Sequence, residues 1–322
     1  MAAACTDQQF IKIWQELQSP TKVAASLGVA LRNVCARRQK IQARYGIHLP
    51  VLDHRPTYNT AEFKHSARLN YDIEDGVIIV GSDAHIWPGE KTTALKAFIK
   101  FIRDLKPKQV HLNGDVFDGA KISRHPKIGF LEKAPDVWEE LHACQESLAE
   151  IEAAAGKATK IWEFGNHDMR FEAFLAANAP QYEGVKGMHL KDHFPAWTPC
   201  WATHINADKP SHTVIKHRLK GGKYDVSTNL MAAHVHMVTG HTHSLKWWPM
   251  TTYRAHTLYG INTGTLSSPH SEPFVHYTED APTDWRAGFA VLTYWKGRLL
   301  QPELAEVIGP DLVNFRGQVI KL

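Results

Sequence analysis

Apolar positions divide the chain into two regimes. Over residues 7–18, Phe10, Ile11, Trp14 and Leu17 fall at helical spacing and predict a first amphipathic helix. Ser19-Pro20-Thr21 breaks that helix and opens a second, which turns Val23, Ala24 and Leu27 inward and stops at Gly28. A third helix is expected from about Ala30 to Tyr45, with Leu31, Val34 and Ile41 as its apolar stripe. Arg32, Arg37, Arg38, Lys40 and Arg44 occupy the rest of its surface. Residues 49–74 hold Pro50, Pro56 and Asn59 without periodicity and read as a linker.

From Gly76 the period changes. Val77-Ile78-Ile79-Val80 is a short continuous apolar run, as in a strand buried on both faces. Helical spacing follows over 90–105, then strand-like Gln109–Leu112, a long helix over 134–155, strand-like Lys160–Phe164 and a helix over 170–177. This alternation implies an α/β domain with parallel strands. Beyond about residue 185 the strand signals dominate, at 213–216, 235–238 and 258–261. The runs 289–295 and 298–300 flank Lys296-Gly297 as a hairpin. The expected organisation is a helical module over 1–48, a linker over 49–74, an α/β domain over 75–309 and a C-terminal tail over 310–322.

Composition fits an ordinary globular chain, with 43% hydrophobic and 22% charged residues among 322. Its net charge of +4 is uneven. Residues 1–60 carry eight Lys or Arg against three acids, so attraction to polyanions belongs to the N-terminal module. Cys5, Cys35, Cys144 and Cys200 are scattered without C-x-x-C pairing and read as reduced thiols. With neither a secretion signal nor an apolar run of spanning length, the expectation is a soluble, cytoplasmic protein without a membrane partner.

Four short motifs then stand out in order: Asp83-Ala84-His85, Gly114-Asp115-Val116-Phe117-Asp118, Gly165-Asn166-His167-Asp168 and Gly240-His241-Thr242-His243. Each follows a run that reads as a buried strand, and three include glycine. Residues two apart just past a strand project to one side, so Asp83 with His85 and His241 with His243 form natural ligand pairs. Carboxylate, amide and imidazole donors without thiolates suit Mn²⁺, Fe or Zn²⁺, and Mn²⁺ is the first expectation. A pair of such ions acidifies bound water and suits phosphate-ester cleavage.

In these motifs, residues 75–305 resemble the calcineurin-like metallophosphoesterases. The resemblance implies a β-sandwich flanked by helices and a dinuclear-metal-dependent hydrolase of phosphate esters. It assigns Asp83, His85, Asp115 and His243 to one metal. Asp115, Asn166, His241 and a histidine between the third and fourth motifs go to the other, with His167 as general acid. His217 is favoured for the missing ligand because it follows the strand-like 213–216; His234 and His204 are the main alternatives. Asp168 either orients His167 or caps the next helix. Arg170 either clamps a phosphoryl oxygen or is a surface charge. Asp118 reads as a carboxylate holding a ligand histidine.

The N-terminal 45 residues resemble a helix-turn-helix DNA-binding module through Val23-Ala24-Ala25-Ser26-Leu27-Gly28-Val29 and the basic third helix. The alternative is a helical bundle for protein contacts. Together the modules look like phage-encoded family members, which implies a host-cytoplasmic setting and a DNA nuclease acting on phosphodiesters. Two other readings stay open: a phosphomonoesterase or protein phosphatase that uses its N-terminal module for localisation, and a DNA-binding regulator with a vestigial phosphoesterase domain.

Overall fold

The computed structural model describes residues 5–51, 67–89, 91–124, 134–253, 257–269, 274 and 283–322. The chain divides into two compact units, residues 1–64 and 65–322. Most of the expected linker, residues 52–66, lies outside the described residues.

The first unit holds α1 (Asp7–Leu17), α2 (Pro20–Leu27) and α3 (Leu31–Tyr45). Thr6 and Gln9 form a reciprocal capping box on α1, and Ser19 caps α2 ahead of Pro20. Gly28 closes α2 in the left-handed conformation (φ 62°), leaving a three-residue turn before α3. The core is Phe10, Trp14, Val23, Ala24, Val34 and Ile41, closed by Leu49 from beyond the helices. Leu31, expected inside, is instead exposed at the first turn of α3. The basic residues of α3 are partly spoken for. Asp7 holds Arg37 at 3.0 Å and Arg44 at 2.8 Å, and Arg38 lies over the Trp14 ring. Arg32 and Lys40 are exposed.

The second unit is built on two sheets. The nine-stranded sheet has a parallel block of β2 (Gly76–Gly81), β3 (Gln109–Leu112), β4 (Thr159–Glu163) and β5 (Thr198–Cys200), which runs out to β5 at one edge. It continues antiparallel from β2 through β11 (Gly288–Trp295), β13 (Glu303–Gly309), β14 (Leu312–Phe315) and β15 (Gln318–Lys321). The short β12 (Arg298–Leu299) pairs with β11 through the expected Lys296-Gly297 turn, where both residues have positive φ. Residues 310–322, read from the sequence as a tail, therefore carry two strands of this sheet. The six-stranded sheet runs β1 (Arg68–Tyr71), β6 (Ala202–Ile205), β7 (Thr213–Ile215), β8 (His236–Thr239), β10 (Thr257–Thr263), β9 (Leu245–Thr251).

Strand β2 shows why its sequence reads as an unbroken apolar run. Ile78 and Val80 face the second sheet and pack with Ile205, Ile215, Val238, Ile261 and Leu292. Ile79 faces the other way, into a core with Phe98 and Ile102 of α4 (Thr93–Leu105) and Leu148 and Ile151 of α5 (Val137–Ala155). Between the sheets His111 and Glu163 form a buried pair at 2.8 Å, and the Thr203 hydroxyl donates to the same carboxylate oxygen at 2.6 Å. Two shorter helices, α6 (Met169–Asn178) and α7 (Asp225–Ala233), flank the loops that follow β4 and β7. The architecture is α/β, a two-sheet sandwich flanked by helices. Among the described residues, no helix is long and apolar enough to cross a membrane.

Candidate metal centre

Asp83, Asp115, Asn166, His217 and His241 each stand two or three residues beyond the end of β2, β3, β4, β7 and β8 respectively. Parallel strands in register end together, so their following loops meet at one edge. Backbone bonds lock two of these loops side by side: Asp83 donates to the Gly114 carbonyl at 2.8 Å and His85 to that of Asp115 at 3.0 Å. Asp83 accepts from the His241 amide at 2.8 Å, and Asp115 from the His167 amide at 2.8 Å. Two glycines permit the approach. A Cβ on Gly114 would overlap the His217 ring, and one on Gly165 would overlap the Asp115 carboxylate.

The ligand-type side chains converge as three groups, one of them His85, Asp118 and His167. Asp83, His85 and His243 bring one donor atom each within 4.8 Å of one another, and so do Asp115, His217 and His241. His243 Nε2 is 3.1 Å from Asp83 Oδ1, and His217 Nε2 is 3.2 Å from Asp115 Oδ2. His85 Nε2 and Asn166 Oδ1 are buried and have no hydrogen-bond partner among the described residues, while Asp83 Oδ1 and His217 Nε2, also buried, have only the contacts just given. Buried polar atoms are normally satisfied, so several such atoms gathered on neighbouring loops are what a cation site presents. Asp83, His85, Asp115, His241 and His243 also hold positive φ, between 41° and 69°. For non-glycine residues such backbone costs of order 1–3 kcal/mol each and concentrates at functional sites.

Tautomers are set by what each ring's other nitrogen does. His217 Nδ1 donates to the Asn113 carbonyl at 2.7 Å, which turns Nε2 toward Asp115. His85 Nδ1 meets Asp118 Oδ1 at 2.9 Å, freeing its Nε2 in the same way. Burial alone would lower the His217 imidazole, but the Asp115 and Asp83 carboxylates override it and raise it to about 10. Burial likewise opposes ionisation of Asp115, yet His217 and His167 hold it well below the usual carboxylate range. The carboxylates thus draw positive charge into the site, as cation binding requires.

The competing histidines are engaged elsewhere. His204 pairs with His212 at 2.8 Å, His189 with Glu172 at 2.6 Å, and His193 with the Gly187 carbonyl at 2.9 Å. His236 bonds Ser211 and the Tyr259 amide, and His234 terminates α7.

Around His167 the structure corrects one expectation. Asp168 does not touch the His167 ring. Its buried carboxylate accepts from the amides of Asp115, Val116, Phe117 and Gly165 and from Trp162 Nε1, at 2.7–3.1 Å. Nor does its side chain cap α6. It tucks beneath the Asp115 loop because five N–H donors there need an acceptor. Asp118 meets His167 instead, Oδ1 to Nδ1 at 2.8 Å, and so contacts two histidines at once. Buried Glu140 of α5 fixes Asp118 in turn by accepting its amide and that of Gly119. Arg170 is no free surface charge: Nη1 donates to the Asp118 carbonyl at 2.8 Å, and Nη2 lies 3.2 Å from His167 Nε2. A second support had no sequence signal. Asp225 of α7 accepts from Thr242, between His241 and His243, at 2.7 Å and from Asn262 at 2.8 Å.

No family model matches the chain. It is 27% identical over 260 residues to the Gene 54 protein of Mycobacterium phage L5, covering 72% of this chain and 94% of that one. The Gene 54 protein of Mycobacterium phage D29 is 26% identical over 258 residues, with the same shares. Among solved structures it is similar to YfcE, a phosphoesterase from E. coli, at 15% identity over 70% of this chain and 97% of that one, TM-score 0.33. A dimetal phosphatase from Danio rerio matches at 10% identity over 78% and 98%, TM-score 0.34. In the order of its ligand motifs and in the sheet edge that gathers them, the chain is similar to the calcineurin-like metallophosphoesterases.

Proposed function

We propose that this chain is a two-metal phosphoesterase whose substrate is a nucleic-acid phosphodiester. The observation that carries the reading is the set of buried ligand atoms without a hydrogen bond on three loops, from Asp83 and His85, from Asn166 and from His217. Oxygen and nitrogen donors without thiolates fit Mn²⁺ first, then Fe or Zn²⁺. Asp83, His85 and His243 would hold one ion, Asn166, His217 and His241 the other, with Asp115 shared between them. A bound pair supplies Lewis acidity, acidifying water near neutral pH and offsetting charge on phosphoryl oxygens.

The chain's own residues supply the rest. Asp118 holds His167 by Nδ1, so that Nε2 is the nitrogen turned toward Asp115, 4.0 Å from its Oδ2. From there Nε2 delivers a proton to the leaving oxygen, a step typically contributing about 10²–10⁴-fold. Arg170, beside His167 Nε2, reaches a phosphoryl oxygen with its guanidinium.

Nucleic acid is favoured by the short helix pair and turn in the first unit, by exposed Arg32 and Lys40 on α3, and by the phage relatives, which also favour a host-cytoplasmic setting. A phosphomonoesterase is the second reading. It draws on Asp7, which occupies Arg37 and Arg44 and so reduces the cationic face available to DNA. Turnover with Mn²⁺ on a diester model substrate, a monoester and linear duplex DNA separates the two. The first reading expects cleavage of the diester and DNA. It also expects the salt dependence of DNA binding to fall in Arg32→Glu/Lys40→Glu, by about 0.9 in log–log slope per lost phosphate contact. Cleavage of the monoester alone rejects it.

A further inference from the structure

A cavity of about 470 Å³ opens beside His85, within the size range of small-molecule sites. One side is the stretch directly after the first motif, including Trp87 and Lys91, and the other is the first turns of α5, including Trp138 and His142. Two features are unusual for a merely structural hollow. Trp138 is 68% exposed, an expensive position for an indole. Trp87 has its Nε1 buried with no hydrogen-bond partner among the described residues. The walls do not suit a second phosphate. Lys91 is held by Glu150 at 2.9 Å, and Glu139 and Glu146 add negative charge.

We propose that this cavity seats the nucleobase of a nucleotide adjoining the phosphate held at the metal centre, so that the enzyme selects base-bearing strands without reading their sequence. Trp138 stacks on the base, and Trp87 donates to an acceptor on it through Nε1 once a turn of the indole brings that shielded nitrogen to the cavity surface. Flat aromatic surface, one unspent donor and no surplus cation together match a base better than a phosphate or a sugar. His85 belongs to both the cavity and the metal centre, which places the base next to the ester to be cut. The inference rests on the phosphodiesterase reading and adds a substrate contact to it.

Isothermal calorimetry on the full chain with Mn²⁺ tests it. The probes are a thymidine dinucleotide with a methylphosphonate linkage and the same molecule with one base replaced by an abasic tetrahydrofuran. The base-bearing probe should bind about tenfold more tightly, a preference that shrinks to threefold or less in Trp138→Ala and in Trp87→Phe. Because Trp138 is exposed, its removal tests contact and not folding. Equal affinity for the two probes, or a preference that survives in both variants, overturns the proposal. Failure of the underlying reading shows separately, as a wild-type enzyme that cleaves a phosphomonoester but no natural dinucleotide.

Discussion

His217 Nε2 lies 3.2 Å from Asp115 Oδ2 while its Nδ1 is committed to the Asn113 carbonyl. One ring nitrogen is therefore held by the backbone and the other is turned into the site as the candidate ligand atom. In a His217→Ala variant, affinity for one of two Mn²⁺ ions should fall at least 100-fold and kcat by a comparable factor. His204→Ala should leave metal content unchanged, because His204 bonds His212 away from the motifs. Competition against a chelator checks both, and full occupancy in His217→Ala would count against its role.

Asp118 touches both His85 and His167, so one carboxylate sets a ligand and the candidate acid together. Removing the carboxylate partner of a metal-bound histidine typically costs about 10–100-fold in affinity or activity. Asp118→Asn should lose metal affinity within that range and a further part of kcat on substrates with poor leaving groups. Equal loss on good and poor leaving groups would leave the contact with His167 without consequence.

Asp168 behaves differently in this account. Alanine there strands five buried N–H donors under the Asp115 loop, a loss of roughly 3–5 kcal/mol in stability. Thermal unfolding of Asp168→Ala should show that loss directly. Wild-type stability with reduced kcat would instead mean that Asp168 acts on catalysis.

The six-stranded sheet predicts an acid limit. His236 accepts the Tyr259 amide on Nδ1 at 3.0 Å and meets Ser211 through Nε2 at 3.1 Å, an arrangement for the neutral ring. Burial, with a smaller push from His212, lowers it to about 4, below its unfolded value near 6.5. A depressed pKa contributes stability above 6.5 that is lost as pH falls toward 4, here about 3 kcal/mol. Denaturant unfolding across that window should show the decline, and His236→Gln should flatten it. An equally steep decline in the variant would assign the effect elsewhere.

The ligand loops were legible because each follows a strand buried on both faces, and glycine at 114 and 165 marks backbone that must pass close to another loop. Strands β13–β15 were not, because that end of the sheet mixes charged and apolar residues, such as Glu303, Glu306 and Lys321, on partly exposed faces. Adjacency misled at Asp168, whose side chain leaves the chain away from that of His167. The residue that does meet His167, Asp118, lies 49 positions earlier. Glu140 and Asp225 act through backbone amides and a threonine, contacts that no local pattern encodes.

Two cations are what these loops should enclose. Equilibrium dialysis against Mn²⁺ followed by elemental analysis counts them directly. Two ions per wild-type chain, with loss of tight binding in Asp115→Ala, is the predicted result. One ion or none in the wild type, or two undiminished in Asp115→Ala, would contradict it.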